Sequence, residues 1–192
     1  MSIRAVEGRA MWRVVDHVAI ALAGGTVLGV ERWTDRCDAC HRDRLRQSGV
    51  EGARWRPVEN FHVTLAFIGE TDRHGFDAAI DALSNIDASA FDLRLSGVGV
   101  FGDKKPRSLW AGVEASPELL HLQAKVETVL RRTGFDLESR KYKPHVTLAY
   151  LKGTSQDEAE LYAARHGLFS CGPFPVSDFH LYSSKLGKTT SA

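Results

Sequence analysis

Phe61-His62-Val63-Thr64-Leu65-Ala66-Phe67-Ile68 and Pro144-His145-Val146-Thr147-Leu148-Ala149-Tyr150-Leu151 are two copies of one segment in a single chain. Five consecutive residues, His-Val-Thr-Leu-Ala, are identical, and the two positions that follow are similar. The histidines stand 83 residues apart, too far for a short stacked repeat and natural for two lobes of a duplicated fold. Each copy is rich in branched and aromatic residues and reads as a strand. On a regular strand, residues i and i+2 share a face. That alternation predicts His62 and Thr64 on one face, with Val63, Leu65 and Phe67 on the other. His145 and Thr147 should repeat this against Val146, Leu148 and Tyr150. Each strand would bury its apolar face under helices and offer an imidazole and a hydroxyl opposite. Two such faces set against each other make a cleft.

Outward from the repeat, strands and helices alternate. Val14–Leu22 is a short apolar run suited to a strand, and residues 1–12 before it read as a loose leader. Val27 to about Gln47 has helical spacing and stops at Gly49. Asp72–Ile86 reads as a helix capped by Asp72 or Thr71. Phe91–Phe101 and Leu109–Glu114 read as strands joined by the turn-rich Gly102-Asp103-Lys104-Lys105-Pro106. Ser116-Pro117 supplies a cap and a first-turn proline for a helix to Arg132, whose Leu119, Leu122, Val126, Val129 and Leu130 share a face. His145–Leu151, Gln156–His166 and Val176–Tyr182 complete the series as strand, helix and strand. Hairpins among these elements favour an α+β fold with antiparallel sheets over a doubly wound parallel sheet. The chain is expected to be one domain over residues 1–192, with two lobes sharing a cleft.

Composition narrows the classes of function. The 192 residues are 43% hydrophobic, enough for a packed interior. The 25 basic and 24 acidic residues leave a net charge of +1, which points neither to long nucleic-acid tracts nor to a membrane surface. A local basic patch for one or two phosphates is compatible with that balance. Val18–Val30 is apolar but too short to span a bilayer, and Gly24-Gly25 interrupts it. It reads as a buried strand running into a helix, with a secretory signal as the alternative. Cys37, Cys40 and Cys171 are too few for a disulfide framework and fit a reducing, cytoplasmic compartment. Cys37-Asp-Ala-Cys40-His41 has the form of half a zinc site, a redox pair or a haem attachment. It lacks a second ligand pair at suitable spacing, so two semi-buried thiols one helical turn apart are the plainer reading. No glycine-rich phosphate loop and no low-complexity segment is present.

Two imidazoles and two hydroxyls facing one cleft suit phosphodiester chemistry. A neutral imidazole can deprotonate the nucleophile while a protonated one donates to the leaving oxygen. Threonine hydroxyls can donate to the nonbridging oxygens, where charge builds up. This chemistry requires no metal and no cofactor. A single His-x-Thr on a strand is weak evidence, because threonine favours strands anyway. Two copies in a longer repeat weigh against the structural explanation, a duplicated core strand with solvated polar positions.

The sequence resembles the 2H phosphoesterase superfamily, named for two His-x-Thr/Ser-x motifs, and within it the RNA 2′,3′-cyclic phosphodiesterases of the LigT or 2′-5′ RNA ligase type. The likeness runs from about Val18 to Leu186. Its supporting segments are Arg54-Trp55-Arg56-Pro57-Val58-Glu59-Asn60 before the first motif and Gly69-Glu70 after it. Gly99-Val100-Phe101-Gly102 with Pro106-Arg107-Ser108-Leu109-Trp110, Tyr142-Lys143-Pro144, and Leu181-Tyr182-Ser183-Ser184 add to it. The resemblance implies two pseudo-symmetric lobes with antiparallel sheets around a central cleft and helices on the outer faces. It implies hydrolysis of a terminal 2′,3′-cyclic phosphate on RNA to a 2′-phosphate. Alternatives are cleavage of 2′-5′-linked oligonucleotides or small cyclic nucleotides, or an RNA-end-binding module without turnover. The catalytic pairs carried over are His62 with Thr64 and His145 with Thr147, with His62 as acid and His145 as base.

The chain departs from the family pattern in several places. An arginine often stands three residues after the second motif's threonine as a phosphate contact, and here that position is Tyr150. Lys152 and Arg140 are the candidate substitutes, and each is equally a surface charge. Phe101, or a tryptophan such as Trp110, is a candidate for stacking on a base, although at strand positions aromatics serve the core more often. His74, His121, His166 and His180 lack the motif and read as surface or capping residues. The family adds a strand where this sequence reaches Lys188-Thr189-Thr190-Ser191-Ala192, which would leave the second lobe with an open edge or completed by a partner. RNA ends are the expected partner, with the protein a monomer.

Overall fold

The computed structural model describes residues 2–6, 15–23, 49–57 and 60–184. The helix expected over Val27 to Gln47, with Cys37 and Cys40, lies outside them. The described elements are β1 (Ser2–Val6), β2 (Val15–Ala23), β3 (Ala53–Trp55), β4 (His62–Thr71), α1 (Arg73–Ser84), β5 (Phe91–Phe101), β6 (Ser108–Val113), α2 (Pro117–Arg132), β7 (His145–Leu151), α3 (Gln156–Arg165), β8 (Ser170–Val176) and β9 (Asp178–Ser184). The fold is α+β. Each of these helices starts on a side chain of the type the sequence offers. Asp72, Ser116 and Ser155 accept from the N–H of Gly75, Leu119 and Glu158 at 2.8, 3.2 and 3.2 Å.

The strands form a curled sheet in the order β1-β9-β2-β4-β7-β6-β5-β8, with β3 added beside β7. Its centre is a seam. β4 and β7 are antiparallel and pair in register only at Val63 and Val146, both buried. Outward from that pair, antiparallel β4-β2-β9 on one side answers antiparallel β7-β6-β5 on the other, while the outermost strands differ, β1 running parallel to β9 and β8 antiparallel to β5. The two lobes are therefore related by a local two-fold through the two valines. Helix α2 packs on β4 and β5, α1 on α2, β4 and β1, and α3 on β5. Phe76, Leu83, Leu122, Leu130 and Phe174 are fully buried in the resulting core.

Three expectations are corrected. Ser2–Val6, read as part of a loose leader, forms β1, parallel to β9. Five residues are too few to show a period, and what makes them a strand is the open backbone of β9. The final strand read as Val176–Tyr182 is two strands divided at Ser177. β8 stays at the edge of the second lobe, whereas β9 crosses to the first and lies between β1 and β2. The last described strand is thus interior. Cys171 is disulfide-bonded, against the expectation of free thiols.

The regular alternation assumed for the two motifs also fails, in the same way in both. Their exposure patterns match residue for residue: Leu65 and Ala66 are both buried, as are Leu148 and Ala149. The ladders skip at these positions, between Ala66 and Thr64 against β2 and between Ala149 and Thr147 against β6. Each motif thus carries a β-bulge at its leucine, which turns the following side chains over. Phe67 and Tyr150 consequently join the histidine face, each 46% exposed. A bulge leaves a carbonyl outside the ladder, and each finds a donor elsewhere. Leu65 O accepts from Gln123 Nε2 of α2 at 3.4 Å, and Leu148 O accepts from the Arg56 N–H at 2.9 Å.

Candidate active site

His62 and His145 open β4 and β7 and stand on either side of the two-fold at the seam. They are held identically. His62 Nδ1 lies 2.8 Å from Asn60 O, and His145 Nδ1 lies 2.7 Å from Lys143 O. A carbonyl oxygen only accepts, so Nδ1 is the protonated nitrogen of each neutral ring and Nε2 carries the lone pair. Burial lowers the pKa of both imidazoles, and the hydrogen bond to the carbonyl opposes this in part. Cations add to the lowering: Arg56 and His145 act on His62, and Lys143 and Arg140 on His145. Each histidine feels neighbouring positive charge, and His62 feels His145 itself. Thr64 and Thr147, two residues on, are half-buried on the same face.

The walls are aromatic. Tyr182 of β9 has its ring 6.3 Å from that of His62, and Phe101 of β5 meets His145 edge-on at 4.8 Å. β9 and β5 are counterparts under the two-fold, so the arrangement is repeated in kind. Trp110 lies 5.3 Å from Phe101 and 6.3 Å from His145. It occupies the space above Gly99, its cross-strand partner, where any Cβ would strike the indole. The Lys143 ammonium sits 4.2 Å from the Trp110 ring centroid and 5.4 Å from that of Phe101. This is cation–π geometry beside the second histidine.

The candidate substrate contacts separate. Phe101 is at the site. Tyr150 is on the histidine face because of the bulge, not on the buried face that strict alternation predicts. Arg140 lies near enough to His145 to act on it, but its side chain is 78% exposed and its Nη2 pairs with Glu138 at 3.1 Å. Lys152 follows the far end of β7, seven residues and roughly 20 Å along the chain from His145, in an exposed turn. Arg56 and Tyr142, not singled out as candidates in the sequence, lie beside these residues. Arg56 touches Tyr150, with Nη1 donating to the phenolic oxygen at 3.0 Å. The Tyr142 hydroxyl donates to Thr64 O at 3.1 Å. Among the described residues, no three histidine, cysteine, aspartate or glutamate side chains converge as metal ligands. Nor is any helix there long and apolar enough to cross a membrane. His166 caps α3, as a capping role predicts.

This two-lobed sheet with a histidine motif at the head of each central strand defines a class. Residues 34–188 match the model of the 2′-5′ RNA ligase superfamily, and the chain belongs to that family. It is similar to the RNA 2′,3′-cyclic phosphodiesterase of Aeropyrum pernix, 34% identical over 148 residues, covering 76% of this chain and 84% of that protein. The protein of the same description from Archaeoglobus fulgidus is 31% identical over 140 residues, covering 72% and 78%. The crystal structure of Escherichia coli LigT complexed with 3′-AMP superposes with a TM-score of 0.64, covers 91% of each chain and is 22% identical, a likeness of fold.

Proposed function

We propose that this protein hydrolyses the 2′,3′-cyclic phosphate at an RNA end to a 2′-phosphate, with His62 and His145 as the acid–base pair. One observation carries the reading. Both imidazoles have Nδ1 fixed on a carbonyl two residues upstream, which leaves two Nε2 atoms for proton transfer across a two-fold seam. The relatives described as RNA 2′,3′-cyclic phosphodiesterases support the choice of substrate.

The step balances on this chain's residues. A neutral Nε2 takes a proton from water as its oxygen bonds to phosphorus. The bond from phosphorus to O3′ breaks, and the other Nε2–H gives its proton to O3′. A cyclic diester and water become a 2′-monoester and a 3′-hydroxyl, and the pair is left with its proton exchanged. Thr64 and Thr147 donate to the nonbridging oxygens. The two rings share tautomer and direction of shift. The orientation of the bound ribose, rather than a difference between the histidines, then sets which is acid and which is base. His62 as acid requires O3′ on its side of the seam.

An RNA oligonucleotide ending in 2′,3′-cyclic phosphate, incubated in excess EDTA and resolved against both phosphate standards, tests this. A 2′-phosphate product is expected. A dominant 3′-phosphate, or turnover confined to a 2′-5′-linked oligonucleotide run in parallel, would refute it.

A further inference from the structure

The bulge at Leu148 turns a backbone oxygen out of the ladder, and Arg56 closes it with its own N–H at 2.9 Å. β3 brings it there, since Arg54 pairs with Tyr150 and Trp55 with Ala149 along β7. The side chain of Arg56 then lies on Tyr150. Its Cζ is 5.6 Å from the ring centroid, and Nη1 donates to the hydroxyl at 3.0 Å. The same bulge puts Tyr150 on the face of His145 and Thr147. One irregularity thus fixes both the backbone of Arg56 and the ring that carries its guanidinium.

The guanidinium has donors to spare. It carries five N–H groups, of which one is used on Tyr150. Among the described residues no carboxylate pairs with it, whereas Arg73, Arg94 and Arg140 each have an acidic partner. Its charge also reaches His62, whose pKa it helps to lower. A half-buried guanidinium with spare donors is suited to form charge-assisted bonds with an arriving anion.

We propose that Arg56 is the phosphate-gripping cation of the cleft, held in place by Tyr150 and donating to a nonbridging phosphate oxygen beside His62. The inference rests on the phosphodiester reading and deepens it. It also accounts for Tyr150, which stands where the resemblance expects an arginine: the neighbouring strand lays a guanidinium over that same ring. Arg140 is already engaged by Glu138, and Lys152 lies beyond the end of the strand. Stacking and the hydroxyl bond restrict the long side chain before substrate binds, which reduces the entropy lost on binding.

The test uses the full chain with inorganic phosphate as probe, followed by NMR of the histidine rings. Arg56→Met retains an apolar stem on Tyr150 and the backbone bond to Leu148, so the fold should survive. It should weaken phosphate binding by about tenfold or more, the loss of one charge-assisted contact. Arg56→Lys keeps the charge without the fork and should fall between. Tyr150→Phe keeps the ring and loses one hydrogen bond, for a loss of about threefold. Undiminished phosphate affinity in Arg56→Met, or no phosphate binding by the wild type, would overturn the proposal. Turnover of a cyclic-phosphate dinucleotide is measured in parallel. A wild type that binds phosphate through Arg56 but yields no product refutes the proposed activity and leaves Arg56 standing. A wild type and Arg56→Met of equal kcat/KM overturn Arg56 alone.

Discussion

The hydroxyl of Tyr142 donates to the backbone oxygen of Thr64 at 3.1 Å, tying the segment before the second motif to the strand of the first. β4 and β7 share register only at Val63 and Val146. The next carbonyl on β4 therefore has no strand partner across the seam, and the phenol serves as the missing rung. Burial raises the Tyr142 pKa well above the ordinary tyrosine range. Tyr142→Phe keeps the ring and removes this bond to a half-buried carbonyl. It should cost about 1–3 kcal/mol, read by urea denaturation near neutral pH. A raised folded pKa contributes stability that is complete below about pH 10 and is lost as pH rises through the folded value. The difference between wild type and Tyr142→Phe should therefore shrink in strong alkali. A Tyr142→Phe protein as stable as wild type at neutral pH would remove the hydroxyl from any role in joining the lobes.

The two histidines are proposed to act as a unit, so their substitutions should not add. His62→Ala or His145→Ala alone should reduce kcat by about a thousandfold or more, and the double variant should lose little further. Both variants should fold, since neither side chain is fully buried. Single-turnover measurements on each folded variant check this. Rates multiplying independently in the double variant would mean that the imidazoles do not share one proton-transfer cycle.

Activity should survive exhaustive chelation. The proposed step draws its electrostatic stabilisation from an imidazolium, two hydroxyls and Arg56, with no Lewis acid required. Turnover is compared before and after dialysis against EDTA. Loss with recovery on adding a single divalent ion would transfer the chemistry to a metal.

What the sequence made legible was whatever repeats or alternates over several residues. His62 and His145 stood out as candidates because five neighbours repeat with them, and the helix caps because Asp72, Ser116 and Ser155 accept backbone N–H groups in the usual way. What it hid depends on contacts between distant segments. The bulges at Leu65 and Leu148 answer to carbonyl partners on Gln123 and Arg56, which no local pattern announces, so Phe67 and Tyr150 were put on the buried face. β3 has three residues, too short to show a period, and only its pairing with β7 brings Arg56 to Tyr150. The crossing of β9 hides likewise in one residue, Ser177, between two apolar runs.

The pH dependence follows from the direction in which both histidines are moved. Each ring's pKa is lowered, mainly by burial, so in the free protein both lie below the ordinary value near 6.5. Catalysis needs one ring neutral and one charged, a state whose population peaks between the two macroscopic constants of the pair. The optimum of kcat/KM, which reports the free enzyme, should therefore fall on the acid side of about 6.5. The bound phosphate anion favours the imidazolium, so kcat should hold to higher pH than kcat/KM. Arg56→Met removes a cation that lowers His62 and should move its titration upward. Stability has its own signature. A depressed histidine contributes stability that is complete above the unfolded value near 6.5 and is lost as pH falls through the folded one. Replacing both histidines by glutamine should therefore blunt unfolding in mild acid. Rate profiles at constant ionic strength and urea titrations across the same range check the two halves separately. A kcat/KM that climbs steadily to pH 10 in protein that stays folded would exclude a histidine acid from the limiting step.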